Sequence, residues 1–276
     1  MNYRLVTMFN IKRLVQFAFK NNKKIIIRKY TPNLKLKSDQ ICNKLMLRNS
    51  KDGSIIRLRI EDLSQDIFEE FLDFTMNYFV KEEITHKIAG IIKDPEAMKE
   101  YREISTEIFK SPSIITKLYI IDDETNCNGK IVGASMTKLI TSVEDTDDDI
   151  IAKTEAMKRY VHILTTFNKM YGIADVMRTY NVNCYLEDLG MIVHPEYRSI
   201  GIALFEEEAR LLICKQLNIP LAGAWCTSRK SQKIGKERNW ITAFETPYKK
   251  IESLLGISFD GIDIPPTCKY MVYKIE

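Results

Sequence analysis

The chain has no C-x-x-C pair, only three histidines and no acidic residue before Asp39. Each absence excludes something. The cysteines (Cys42, Cys127, Cys184, Cys214, Cys226 and Cys268) are spread singly, so neither a zinc cluster nor a dithiol redox motif is indicated. Cys184, Cys214 and Cys226 sit in apolar stretches and read as small buried hydrophobes in a reducing compartment. His86, His162 and His194 fall on unrelated elements, which argues against a metal triad or a Ser-His-Asp set, and no metal is expected. No apolar run approaches the roughly 18 residues of a membrane span. Internal repeats and low-complexity segments are also missing.

What is present is ordinary for a globular protein. The 276 residues are 45% hydrophobic and 28% charged, enough to bury a sizeable core. The net charge of +4 is local: residues 1–38 carry Arg4, Lys12, Arg13, Lys20, Lys23, Lys24, Arg28, Lys29, Lys35 and Lys37 against no acid. So mild an excess gives no indication of nucleic acid. Residues 1–52 read as a basic N-terminal extension, with a helix near Leu14–Phe19 and a strand at Ile25–Ile27. A mitochondrial presequence is the alternative to a cytoplasmic protein, although serine is absent before Ser38.

From residue 53 the pattern is mixed α/β. Ser54–Ile60 alternates as a strand, and apolar residues from Ile67 to Phe79 recur at helical spacing over about 66–80. Lys81-Glu82-Glu83 breaks that helix, and a short one follows to about Ile92. Asp94-Pro95 starts a third helix, to Phe109. Strands at 113–121 and 130–140 flank a polar loop at 122–129, and an acidic loop at 143–149 precedes a long helix over 150–171. Next come a strand at Tyr185–Val193, a turn, and a helix with Leu204, Phe205, Ala209, Leu212, Ile213 and Leu217 on its inner face. A buried strand at 221–226, a helix to about Arg238, strands at 240–247 and 270–275 and an irregular loop at 256–266 complete the chain.

The turn after Val193 carries the chemistry. Strand, glycine-bearing turn, helix start is the general way to hold a pyrophosphate, because first-turn N–H groups lack partners and point outward with the helix dipole behind them. Arg198-x-x-Gly201-x-Ala203, preceded by Met191-Ile192-Val193-His194-Pro195, resembles motif A of the GCN5-related N-acetyltransferases. Tyr78-Phe79-Val80-Lys81-Glu82-Glu83, Cys226-Thr227-Ser228-x-x-Ser231 and Thr246-Pro247-Tyr248-Lys249 extend the likeness toward the insect-type arylalkylamine (dopamine) enzymes of that superfamily.

The resemblance covers residues 53–276 and implies the acyl-CoA N-acyltransferase fold, a mixed central sheet flanked by helices. It implies acetyl-CoA as co-substrate, a small primary amine (an arylalkylamine) as acceptor, direct transfer in a ternary complex, and a monomer without nucleic-acid or membrane partners. Met191, Ile192 and Val193 would line the pantetheine and thioester, with a main-chain N–H near Val193 for the oxyanion. Arg198, Ser199, Ile200, Gly201, Ile202, Ala203 and Leu204 would hold the pyrophosphate; Arg198 equally suits a surface ion pair. Glu83 would be the base, with Glu82 its rival by register and Glu187 and Asp188, on opposite strand faces, second candidates. Thr227 and Ser231 match hydroxyl residues of the insect-type site, and a helix cap is their other reading. Tyr78, Phe79 and Tyr248 could contact an arylalkyl group or pack in the core.

Three positions depart from the pattern: Ile200 in the turn, Ile84-Thr85 in place of Pro-Leu, and Gly235 where many members carry a tyrosine acid. They support the alternative of a catalytically impaired CoA-binding or regulatory protein. An acyltransferase for polyamine, amino-acid or peptide acceptors is the other alternative.

Overall fold

The computed structural model describes residues 44–48, 53–122, 129–145 and 150–276. The expected N-terminal helix, the Ile25–Ile27 strand and the presequence lie outside them, as do residues 123–128 and 146–149 of the two polar loops. Eight strands form one sheet in the order β1-β2-β3-β4-β5-β6-β8-β7. They are β1 (Lys44–Arg48), β2 (Ile55–Asp62), β3 (Ile114–Ile121), β4 (Ile131–Ile140), β5 (Tyr185–Val193), β6 (Leu221–Cys226), β7 (Ile241–Pro247) and β8 (Thr267–Lys274). β1 pairs antiparallel with β2, so the sheet reaches back ahead of residue 53, into the stretch the sequence assigns to the extension.

All neighbouring pairs are antiparallel except β5–β6. That parallel pair is joined at two rungs, Leu186↔Ala222 and Glu187↔Gly223, and the strands then diverge. The opening of the sheet at this point organises everything that follows.

The helices are α1 (Phe68–Thr75), α2 (Ile84–Ala89), α3 (Pro95–Phe109), α4 (Glu155–Met170), α5 (Ile173–Tyr180), α6 (Ile202–Leu217), α7 (Arg229–Glu237) and α8 (Tyr248–Leu255). One face is covered at its centre by α1, which buries Phe71 and Phe74 against Leu118, Ile120, Ala134 and Ile192. Helices α2, α3, α4 and α8 share a second cluster built on Ile84, Ile88, Tyr101, Ile163, Phe167, Tyr248 and Ile251. The opposite face carries α6, whose Ile202 packs with Leu58, Tyr119 and Val132, and α7, whose Gly235 lies against Met271.

Several expectations change. The long helix begins at Glu155 rather than 150, because Thr154 caps it through Met157 N. It also ends at Met170, and α5, read from the sequence as part of no element, follows after Gly172. Helix α8 occupies a stretch between β7 and the loop where no helix was expected. The inner face of α6 is rotated. Leu212 is 40% exposed, whereas Glu206, Glu207 and Arg210 are buried. Residues 202, 206, 209, 210, 213 and 217 form one stripe at helical spacing. Its charges are tolerated because Arg210 pairs with Glu207 at 3.1 Å and with Asp188 of β5 at 2.8 Å. Burial drives the Glu206 pKa well above its ordinary value, with Arg210 opposing, so its carboxyl keeps a proton.

Candidate active site

Strand β5 shapes the site. Its register against β4 slips between Asp188 and Gly190, leaving Leu189 as an extra residue. Gly190 has φ 143°, and a Cβ there would sit 2.6 Å from the Phe79 ring, so the bulge closes directly on the end of the first helical segment. That segment itself ends in a π-helical turn, Met76–Val80, which follows α1 and delivers Phe79 and the loop beyond it. Beyond the bulge, His194 N donates to Val132 O at 2.9 Å. Alternation then turns the N–H groups of Met191 and Val193 away from β4, toward the side where β6 has already diverged.

The turn leading out of β5 is built for an open helix start. Ser199 (φ 67°) and Gly201 (φ 101°) are left-handed, and a Cβ on Gly201 would meet nothing within 4 Å. Helix α6 therefore begins with no side-chain cap and no acid in its first turn. Ile200, the departure from the expected turn, packs onto the cluster of Leu58, Tyr119, Val132 and Ile202. The space above Gly201 stays open.

A single cleft of about 1240 Å³ runs from this turn across the sheet opening. The residues assigned above to the base, hydroxyl and donor-binding roles line it: Glu83, Thr227 and Ser231, Met191, Ile192 and Val193, and Arg198 through Leu204. Trp225, Tyr270, Lys230 and Lys233 line it too and were not foreseen. Strand alternation on β6 and β8 could have pointed to Trp225 and Tyr270, and i, i+3 spacing on α7 to Lys230 and Lys233.

Glu83 caps α2. Its Oε2 accepts from Thr85 N at 2.5 Å, from Thr85 Oγ1 and from His86 N at 3.2 Å. Its Oε1 accepts from Thr227 Oγ1 at 3.0 Å, a bond between residues 144 positions apart. The Ile84-Thr85 departure thus adds one of these donors, the Thr85 hydroxyl. Thr227 is held in turn by Tyr248, whose hydroxyl donates to Thr227 O at 2.7 Å. Tyr248 is 2% exposed and belongs to the core, not the cleft. Beneath Glu83, His86 is wedged among Phe79, Tyr101 and Tyr160, and burial lowers its pKa to about 4 despite the attraction of Glu83.

The remaining candidates fall into place. Glu82 is largely exposed, and its Oε1 lies 2.9 Å from Arg198 Nη2. Arg198 Nε also donates to Val193 O at 3.0 Å, so this arginine ties the turn to the Glu82–Glu83 loop. Ser231 completes a reciprocal cap with Ser228, each side chain bonding the other's backbone N–H at 3.1 Å. Asp188 lies on the α6 side, held by Arg210 and accepting from Gly190 N. Glu187 lies on the other face, where its Oε2 accepts from Tyr270 OH at 2.5 Å. His194 is buried between Tyr78 and Tyr197 and accepts from Glu196 N. Gly235 does not line the cleft. A Cβ there would lie 2.9 Å from Met271 Sδ, so no side chain at this position reaches the site.

No protein-family model matches the sequence, and no curated protein matches it. Solved structures do. The architecture is that of the GCN5-related N-acetyltransferase fold. A chain from the yellow fever mosquito, Aedes aegypti, assigned as arylalkylamine N-acetyltransferase 7, is 20% identical with a TM-score of 0.71, over 84% of this chain and 94% of that one. Arylalkylamine N-acetyltransferase 2 from Aedes aegypti gives 16% identity and a TM-score of 0.64, over 79% and 99%. A polyamine N-acetyltransferase from Drosophila melanogaster that forms N-acetylagmatine gives 16% and 0.58, over the same shares.

Proposed function

We propose that this protein is an acetyl-CoA-dependent N-acetyltransferase acting on a small primary amine, with an arylalkylamine as the acceptor class. One observation carries the reading. The bare start of α6, the unpaired N–H groups of β5 and the Glu83–Thr227 pair all open into one cleft. Each has a task in moving an acyl group from a thioester to nitrogen. The α6 start and Gly201 fit a diphosphate. Lys230 and Lys233 add positive charge on the same cleft. The N–H groups of Met191 and Val193 suit the thioester oxygen as charge builds on it. Glu83 removes the ammonium proton, directly or through a water, so that nitrogen attacks while neutral. The C–N bond forms, the C–S bond breaks, and coenzyme A leaves as the thiol once a proton reaches its sulfur. Thr227 orients Glu83, and Ser231 secures the helix beside it. Aromatic walls from Phe79, Phe167 and Trp225 favour an acceptor with an aryl or long alkyl body.

The test is release of free coenzyme A on mixing protein, acetyl-CoA and a panel of tyramine, dopamine, serotonin, spermidine and glycine. Turnover with at least one amine is expected. Saturable calorimetric binding of acetyl-CoA without turnover on any amine would move the protein to the non-catalytic binder class. Absence of binding would remove both readings.

A further inference from the structure

Resting on the acyl-transfer reading, we infer that Glu187 is the specificity residue for the far end of the acceptor: it accepts a hydrogen bond from a donor group there, a phenolic hydroxyl or a second ammonium. The cleft extends past Glu83 along the inner side of α4 to Trp225, Tyr171 and Tyr270. These rings form a connected set, Trp225–Tyr270 at 5.4 Å, Tyr171–Tyr270 at 5.3 Å and Phe167–Trp225 at 4.7 Å. A purely aromatic recess would take any apolar tail. This one also carries a half-buried carboxyl group, that of Glu187, with Lys138 opposite it on β4 and Asp145 on the same lining.

The position of Glu187 in the sheet explains why it is presented. It occupies the last rung at which β5 and β6 are joined, opposite Gly223. A Cβ on Gly223 would lie 2.2 Å from Tyr270 Oη and 3.2 Å from Glu187 Oε2, so glycine alone leaves room for that pair. Tyr270 fixes the carboxyl by donating to Oε2, and burial, with Glu187 second, raises its pKa well above the ordinary value, so it stays a donor. A carboxyl group offers about four acceptor positions; Tyr270 takes one and Tyr185 bonds the same carboxyl. A carboxyl group held this way rewards a ligand that brings a donor and penalises one that buries it against hydrocarbon. Aromatic faces around it suit both an aryl ring and a cation.

The experiment compares matched acceptors that differ only at the far end: tyramine with phenethylamine, and 1,5-diaminopentane with pentylamine. In at least one pair the wild-type protein should favour the donor-bearing amine by about tenfold or more, chiefly through KM. The pair that responds identifies the donor as phenol or ammonium. In Glu187→Gln, which keeps the shape, that ratio should fall to within about twofold of unity, while acetyl-CoA binding reports that the variant is folded. Turnover of these amines with no preference in either pair in the wild type overturns the inference whether or not the variant folds, as does a preference that survives in a folded Glu187→Gln. Failure of every amine to react counts against the acyl-transfer reading instead, and takes the inference with it.

Discussion

Three of the helices that start at the cleft, α2, α6 and α7, start differently. Helix α2 is capped by Glu83, and α7 by the Ser228–Ser231 pair, so both satisfy their first N–H groups with their own side chains. Helix α6 is twice as long as a typical short helix, with 16 residues, yet begins on a glycine with no cap and no acidic residue. A stable chain leaves a helix start bare at a cost of about 1 kcal/mol unless something else fills it. The contrast separates the helix starts that are complete in themselves from the one to which the proposed function assigns the diphosphate.

That contrast can be broken at each of the three starts. The largest effect is expected at α2. Glu83→Gln should lower kcat by about 10²–10⁴-fold while leaving the dissociation constant for acetyl-CoA nearly unchanged. Steady-state kinetics and calorimetry check this, and a normal kcat across pH would exclude Glu83 as the base. At α6, Ala203→Asp places a carboxylate in the first turn, which has none. Coenzyme A affinity should fall by about tenfold or more while the melting temperature holds or rises slightly. An unchanged affinity would mean that the diphosphate sits elsewhere. At α7, Ser228→Ala removes one half of a cap. The expected cost is about 1 kcal/mol, read as a fall of roughly 2–4 °C in melting temperature.

The last prediction concerns a slope with pH and sharpens the picture of what lies under α6. Glu206 holds a proton in the folded chain that the unfolded chain sheds above its ordinary pKa of 4.5. Folding stability from this group therefore falls as pH rises past that value, until the folded carboxyl itself ionises. Glu206→Gln should flatten the decline, so its gain in denaturant midpoint over wild type should be greater at pH 8 than at pH 5. Equal gains at both pH values would show that Glu206 is already ionised in the fold.

The sequence made the donor side of this site readable, because its signals are local. The bounds of β5 and β6 follow from short apolar runs between breaks, and Gly201 marks the left-handed turn. Glu83 and Thr227 were each named from separate stretches, but their hydrogen bond exists only once α2 and the β6 end meet. What stayed hidden has physical causes. Helix α5 has only eight residues and is preceded by glycine, so its periodicity runs into that of α4. Helix α8 starts after Pro247 with no side-chain cap to announce it. The inner stripe of α6 holds three ionisable residues, of which Arg210 pairs with Glu207 on the same helix and with Asp188 on a different element. Gly235, read from the sequence as standing where many members carry a tyrosine acid, lies against Met271 in the fold.

The seam of two rungs between β5 and β6 has a mechanical consequence. Every other strand junction in the sheet would have to surrender several backbone bonds to part. Here the strands are already separate beyond Glu187 and Gly223, so they can flex apart like the free edges of a book held at its spine. Widening at that margin sacrifices no ladder bonds, so the floor of the cleft can shift without loosening the rest of the sheet.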